Sequence, residues 1–344
     1  MALTSDAVRF PVLQAICCVA EGAAVSLSQS AVAAALRNVF FCVLGGRAGL
    51  PRSLGSVHAG AVVLFLGGSF RGVRRRGVKM PLVKTAYGMA VSRDGTTLFI
   101  GDTLSCPVYG AYSALPTPSR EETSRLYVVD VASGTSRFVG GWGTQPLQFR
   151  LPGQIWVAAD DFVFVAEFQG RRVQALTPQL EFHRYYGADV LECVKGVCAN
   201  EHIVVVVDMS TLCVFDRKDA LLLRRFARKG GHDGELSHPG SVCFLAGDQC
   251  VAVADNANHR VSVFETTGAF VRQIGVGFLH EPASVACSAW DELVVAHDPG
   301  VCVFGSAGEL RWALKRYCAS SVALHHTKIY VASSVDNEEC FVFD

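Results

Sequence analysis

A chain of 344 residues, half of them hydrophobic and 18% charged, carries enough apolar material for an extensive buried core, which excludes a disordered or heavily solvated polymer. Lys+Arg and Asp+Glu are 31 each, so the formal net charge is zero and no global field draws the chain to a polyanion. The 13 cysteines show no CxxC pair, no zinc-ribbon spacing and no compact disulfide framework, and no apolar run reaches the ~18 residues of a membrane helix.

Residues 1–55 are Ala-rich. Residues 25–36 read as a short helix, and Gly45-Gly46, Gly49 and Pro51 end it, which makes this segment an N-terminal appendage to a domain covering 56–344. Residues 12–20 are apolar, but Asp6 offsets Arg9 and Glu21 follows directly, so a secretory signal is not expected. Residues 61–66 (AVVLFL) read as a strand closed by Gly67-Gly68. The basic run Arg71, Arg74, Arg75, Arg76 and Lys79 reads as a solvated linker.

From there the chain repeats. Residues 87–102 and 125–141 hold strand-like runs separated by a surplus of about one half-unit, residues 103–124, which carries Cys106-Pro107, Pro116, Pro118 and Arg120-Glu121-Glu122. Four clear units follow at 151–187, 194–226, 238–275 and 281–314, in which Pro152, Lys195, Pro239 and Pro282 recur at separations of 43, 44 and 43 residues. The clearest unit has strand-like runs at 241–245, 250–254, 260–265 and 269–274, punctuated by Gly247-Asp248, Asp255-Asn256 and Thr267-Gly268. The final segment holds three strands and then ends.

Four strands per ~43-residue period is the spacing of a β-propeller. The expectation is an all-β, six-bladed ring whose last blade is completed by the strand at 61–66, with 38–44 as the alternative donor. Cys198, Cys243 and Cys287 are assigned to matching places in one strand, and Cys213 and Cys302 in another, as small reduced core residues. That usage, with no membrane segment, suits a cytoplasmic protein.

Residues 252–264, AVADNANHRVSVF, resemble the core of an NHL repeat, in which an Ala-Asp pair precedes a turn and Asn-x-Arg-Val. The unit VAEFQGRRVQAL is similar, with Glu167 in place of the Asp and Arg172-Val173 retained; the units with Asp208 and Asp298 shorten the turn and lose the Arg. The resemblance covers roughly residues 60–344. It implies a propeller, and the absence of RING, B-box and coiled-coil patterns departs from the ubiquitin-ligase members of that family. Asp255 with Arg260, and Glu167 with Arg172, are assigned to holding the repeat turn.

In such a blade, the loop leading into the inner strand and the turn between the second and third strands share one end. His232, His238, Asp255, His259, His280, His297 and Asp298 all fall at that end, together with the 103–124 insertion, and are the candidate binding residues. The expected function is a monomeric scaffold that binds a protein or peptide there and uses no cofactor. Two other readings are a metal-dependent lyase or hydrolase in the central channel and binding of single-stranded RNA. No spaced ligand set, nucleophile or base can be assigned for the first, and the basic runs lack interleaved aromatics for the second.

Overall fold

A computed structural model describes residues 75–79, 86–102, 124–245, 247–315, 319–326, 328–333 and 339–343. The appendage 1–55, the strand candidates 61–66 and 38–44, and the insertion 103–123 lie outside these residues.

The repeated Val-, Ile-, Phe- and Cys-rich runs form six four-stranded antiparallel sheets. Sheet 1 contains Ala86–Val91, Thr97–Asp102, Leu126–Asp130 and Ser136–Val139. Sheet 2 contains Pro152–Val157, Val163–Glu167, Arg172–Leu176 and Phe182–Tyr186. Val194–Ala199, Ile203–Asp208, Thr211–Asp216 and Leu222–Phe226 make sheet 3. Val242–Phe244, Cys250–Asp255, Arg260–Glu265 and Phe270–Ile274 make sheet 4. Sheet 5 is Ser284–Cys287, Leu293–His297, Gly300–Phe304 and Leu310–Lys315.

Those five sheets each come from one stretch of chain, whereas the sixth is composite. Ala319–His325, Lys328–Ser333 and Glu339–Phe343 are completed by Arg75–Lys79, paired antiparallel from Arg75↔Phe343 to Lys79↔Glu339. The N-terminal donor is therefore Arg75–Lys79 rather than 61–66, and that part of the basic run is a strand rather than a linker. An outermost strand pairs on one side only, so a charged segment that hydropathy assigns to solvent can serve there.

The first strands of successive sheets lie side by side, and that of sheet 6 packs against that of sheet 1, so the ring closes. Apolar clusters fill the spaces between neighbouring sheets: Ile100 and Tyr330 between sheets 6 and 1, Phe99 and Val165 between 1 and 2, Phe164 and Phe215 between 2 and 3, Val214 and Phe264 between 3 and 4, Val263 and Phe304 between 4 and 5. Strands buried on both faces explain why residues 203–207 read as a continuous apolar run rather than an alternation.

Around the axis the inner strands are stitched by side chains that accept backbone N–H groups of the next sheet. Ser241 Oγ accepts from Val285 N at 2.7 Å and Ser284 Oγ from Val322 N at 3.2 Å. Sheet 3 has Gly196 at that position, and the long side chain of Gln154 covers for it. Gln154 Oε1 accepts from Val197 N (3.0 Å) and from Val242 N (2.9 Å), while Nε2 donates to Val242 O at 2.7 Å. A Cβ on Gly196 would meet Gln154 Oε1 at 3.0 Å and Gly240 O at 2.8 Å, so the glycine is what lets the amide through. Two residues on, Trp156 donates Nε1–H to Ala199 O at 2.8 Å and packs against three of the inter-sheet clusters.

Cys193, Cys198, Cys213, Cys243, Cys250, Cys287 and Cys302 are outside any disulfide, with Cys198, Cys213, Cys243 and Cys302 buried. Burial raises the thiols of Cys198 and Cys243 well above the ordinary range and pushes that of Cys213 to about 11. Cys213 and Cys302 occupy matching sites, as do Cys198 and Cys243, but Cys287 lies one step further along, opposite Leu293. Cys243 follows Pro239 by four residues and Cys287 follows Pro282 by five, so the two lie on opposite faces of their strands.

Candidate functional site: the loop face

The lead-in loops and the turns between second and third strands do share one end, and two kinds of latch alternate around it. The long kind precedes sheets 2 and 4. Gly141–Trp142 pairs in parallel with Gln148–Phe149, and Arg228–Lys229 pairs likewise with Glu235–Leu236. The loops match residue for residue at a spacing of 87: Gln148 Oε1 accepts from Gln145 N and Glu235 Oε2 from His232 N, while Phe149 and Leu236 are fully buried.

A buried carboxylate closes each of these loops. Asp255 accepts from Ser237 N (2.7 Å), Asn258 Nδ2 (2.8 Å), Arg260 Nε (2.8 Å) and Ser262 Oγ (3.2 Å). Arg260 Nη2 then donates to the carbonyls of His232 (2.9 Å) and Glu235 (3.0 Å). Glu167 repeats the pattern, accepting from Arg150 N (2.9 Å), Arg172 Nε (2.7 Å) and Gln174 Nε2 (2.8 Å), and Arg172 Nη1 donates to Thr144 O at 2.7 Å. Burial raises the Glu167 carboxyl above its usual value, with Arg172 and Gln174 opposing the rise. Both carboxylates are consumed by the fold and face no solvent.

The short kind precedes sheets 3 and 5. Gly187 and Gly275 turn the chain at positive φ, and Leu191 and Leu279 plug in behind them. Asp208 Oδ1 accepts from Glu192 N and Cys193 N, at 2.9 and 2.7 Å. In sheet 5 the equivalent residue is His297, paired with Gly300 as Asp255 is with Arg260; Asp298 is the next residue along the turn. His297 is buried, its Nδ1 accepts from His280 N at 3.3 Å, and its Nε2 lies 3.1 Å from Cys302 Sγ. An accepting Nδ1 places the ring proton on Nε2, so this ring donates to the sulfur and is not arranged as its base.

Of the candidate residues, the structure brings His259, His280, His297 and Asp298 together. The rings of His259 and His280 stack at 4.9 Å with 19° between planes, and His280 Nδ1 is 3.8 Å from Asp298 Oδ2. His259 Nδ1 accepts from Glu281 N at 3.0 Å, tying the turn of sheet 4 to the lead-in of sheet 5. His232 contributes backbone to the Arg260 latch, and His238 is an exposed residue at positive φ, as Leu151 and Glu281 are at matching places before proline. Neither side chain joins the histidine group. Among the described residues no set of three or more His, Cys, Asp or Glu is arranged to hold a metal ion.

Sequence reasoning missed the apolar part of this patch. Val276 and Phe278, on the same lead-in as His280, are 60% and 62% exposed. Their backbone is held by Phe278 N and Leu279 N donating to Gly275 O. The readable signal was the recurrence of a glycine four residues before a leucine, at Gly187/Leu191 and Gly275/Leu279, with an apolar residue between. The insertion 103–123 is flanked at this same end by Asp102 and Ser124, whose backbones bond each other and Arg125. At the opposite end, a cavity of about 650 Å³ is lined by Arg93, Asp94, Phe99, Val157, Asp161 and Pro178, between sheets 1 and 2.

No family model matches the chain. A curated relative, the RING finger protein nhl-1 of Caenorhabditis elegans, is 47% identical over 68 residues, covering 18% of this chain and 7% of that protein. Among solved structures, a gluconolactonase from Xanthomonas campestris superposes with a TM-score of 0.59 at 14% identity, covering 80% of this chain and 92% of its own. A streptogramin B lyase gives 0.56 at 9% identity (79% and 98% covered), and a luciferin-regenerating enzyme 0.54 at 12% (79% and 95%). At such identities the likeness shows the fold alone. With the ring of sheets described above, it makes this chain an all-β propeller.

Proposed function

We propose that the chain is an NHL-type propeller of six blades that acts as an interaction scaffold, binding a protein or peptide through the loop face at the junction of sheets 4 and 5. The observation that carries this reading is the patch made by Val276, Phe278, His259, His280 and Asp298: two exposed apolar side chains beside imidazoles and a carboxylate, on loops held by buried latches. An aromatic anchor with polar neighbours on a rigid support is the composition of an interface hot spot, and rigidity limits the entropy lost on binding. The short segment of likeness to nhl-1 supports the NHL assignment.

Quantitative affinity capture with the intact protein, compared with Phe278→Ser and His280→Ala, tests the site. A specific partner lost from both variants, with melting temperature unchanged, is the expected result; an unaltered set of partners refutes it. The structural neighbours that are named as lyases and a lactonase keep a metal-dependent channel enzyme as the second reading. Metal analysis of the purified protein separates the two.

A further inference from the structure

Five of the eleven large hydrophobic side chains exposed among the described residues belong to sheet 3 and its loops: Val190, Met209, Leu221, Leu222 and Leu223. Three of them are consecutive, with exposures of 63%, 38% and 47%. They lead into and begin the outermost strand Leu222–Phe226, which pairs with Thr211–Asp216 on one side and, among the described residues, has no strand on the other. An open, apolar edge is an association hazard that folds ordinarily cover or guard with charge. Here the charge on the strand has one sign, from Arg224 and Arg225, both exposed, while Arg228 beyond it is paired with Glu235 at 3.0 Å. Arg224 Nη1 donates to Thr266 O of sheet 4, and Arg225 Nη2 to Val190 O, so the two guanidiniums are held to opposite sides of the strand and keep further donors for a ligand.

We propose that the edge Leu222–Phe226 of sheet 3 docks an extended acidic segment of another protein, which adds antiparallel as a fifth strand. The fold already uses this geometry once, where Arg75–Lys79 completes sheet 6 from a distant part of the chain. Main-chain pairing supplies affinity. The leading pair Leu222-Leu223 selects apolar residues, and the following pair Arg224-Arg225 selects carboxylates. Pairing with a second copy of this edge would set like charges against each other, which disfavours self-association.

The experiment uses the intact protein and a fluorescent peptide of alternating Glu-Glu and Val-Val pairs, followed by anisotropy. Saturable binding is expected, weakened at least ~10-fold by Arg224→Glu with Arg225→Glu, by Leu223→Asp, and by N-methylation of alternate peptide amides. Added salt should weaken it, and Phe278→Ser should leave it unchanged, which separates it from the loop-face patch. No saturation up to ~1 mM, equal binding of a lysine-for-glutamate peptide, or equal binding of the N-methylated peptide overturns the proposal. So does a concentration-dependent dimer that these same edge variants abolish. Melting curves of each variant show that loss of binding is not loss of fold.

Discussion

Gln154→Ala tests whether one amide holds the ring together where sheet 3 cannot. The substitution removes three hydrogen bonds at once and strands Val197 N–H, Val242 N–H and Val242 C=O near the axis. An unsatisfied buried polar group costs about 1–3 kcal/mol, and water entering the vacated volume recovers part of it, so a loss of about 3–6 kcal/mol is expected. Ser241→Ala strands one group, Val285 N–H, and should lose about 1–3 kcal/mol. Urea unfolding of the two variants and the parent, with m-values compared to confirm a common unfolded state, measures the difference. Gln154→Glu adds a control, because its carboxylate must face Val242 O when ionised and can donate to it when protonated; this variant should lose less stability at acid pH than at neutrality. If Gln154→Ala destabilises no more than Ser241→Ala, the side chain is not bridging two sheets and the reasoning fails.

Arg260→Ala, which leaves the buried Asp255 carboxylate unpaired and frees two carbonyls, should destabilise by about 3–5 kcal/mol in the same assay, and Arg172→Ala by a similar amount through Glu167. Hydrogen bonds hold Asp94 down to about 2 and keep Asp130, Glu235 and Glu309 below their ordinary values. Such depressed carboxyls stabilise the fold above their unfolded values, and that contribution is lost as pH falls toward ~2, so the melting temperature should drop across that window, less steeply in Asp94→Ala. Glu167 acts in the opposite sense, since a raised carboxyl contributes below its unfolded value and loses that contribution as pH rises. In native protein, iodoacetamide should modify Cys193, Cys250 and Cys287 well before Cys198, Cys213 and Cys243, as mass spectrometry of the labelled peptides would show; early labelling of Cys243 would refute the closed packing between sheets.

Several parts of the site were legible because they are local. The turn residues Asp255 and Arg260 lie five apart and pair across one hairpin, and the ~43-residue period set which loops share an end. Gln154 was not legible, since its partners lie 43 and 88 residues away and its role exists only because Gly196 leaves a gap in the next sheet. His297 was a candidate binding residue together with Asp298, but the turn position was assigned to Asp298, an acid like Asp208 and Asp255; the structure puts His297 there, bonded to a backbone amide and close to a thiol. Val276 and Phe278 stand out by their exposure on a backbone pinned to Gly275 O.

The sequence by itself determined the strands, their number per repeat and the buried, double-faced character that makes them sheets, because hydrophobic periodicity and turn chemistry act over a few residues. Tertiary structure alone decided which segment completes sheet 6, what fills the axis, and which exposed side chains stand together on the loop face. Each of those depends on surfaces brought into contact by closing the ring, and ring closure leaves no trace in the spacing of any one repeat.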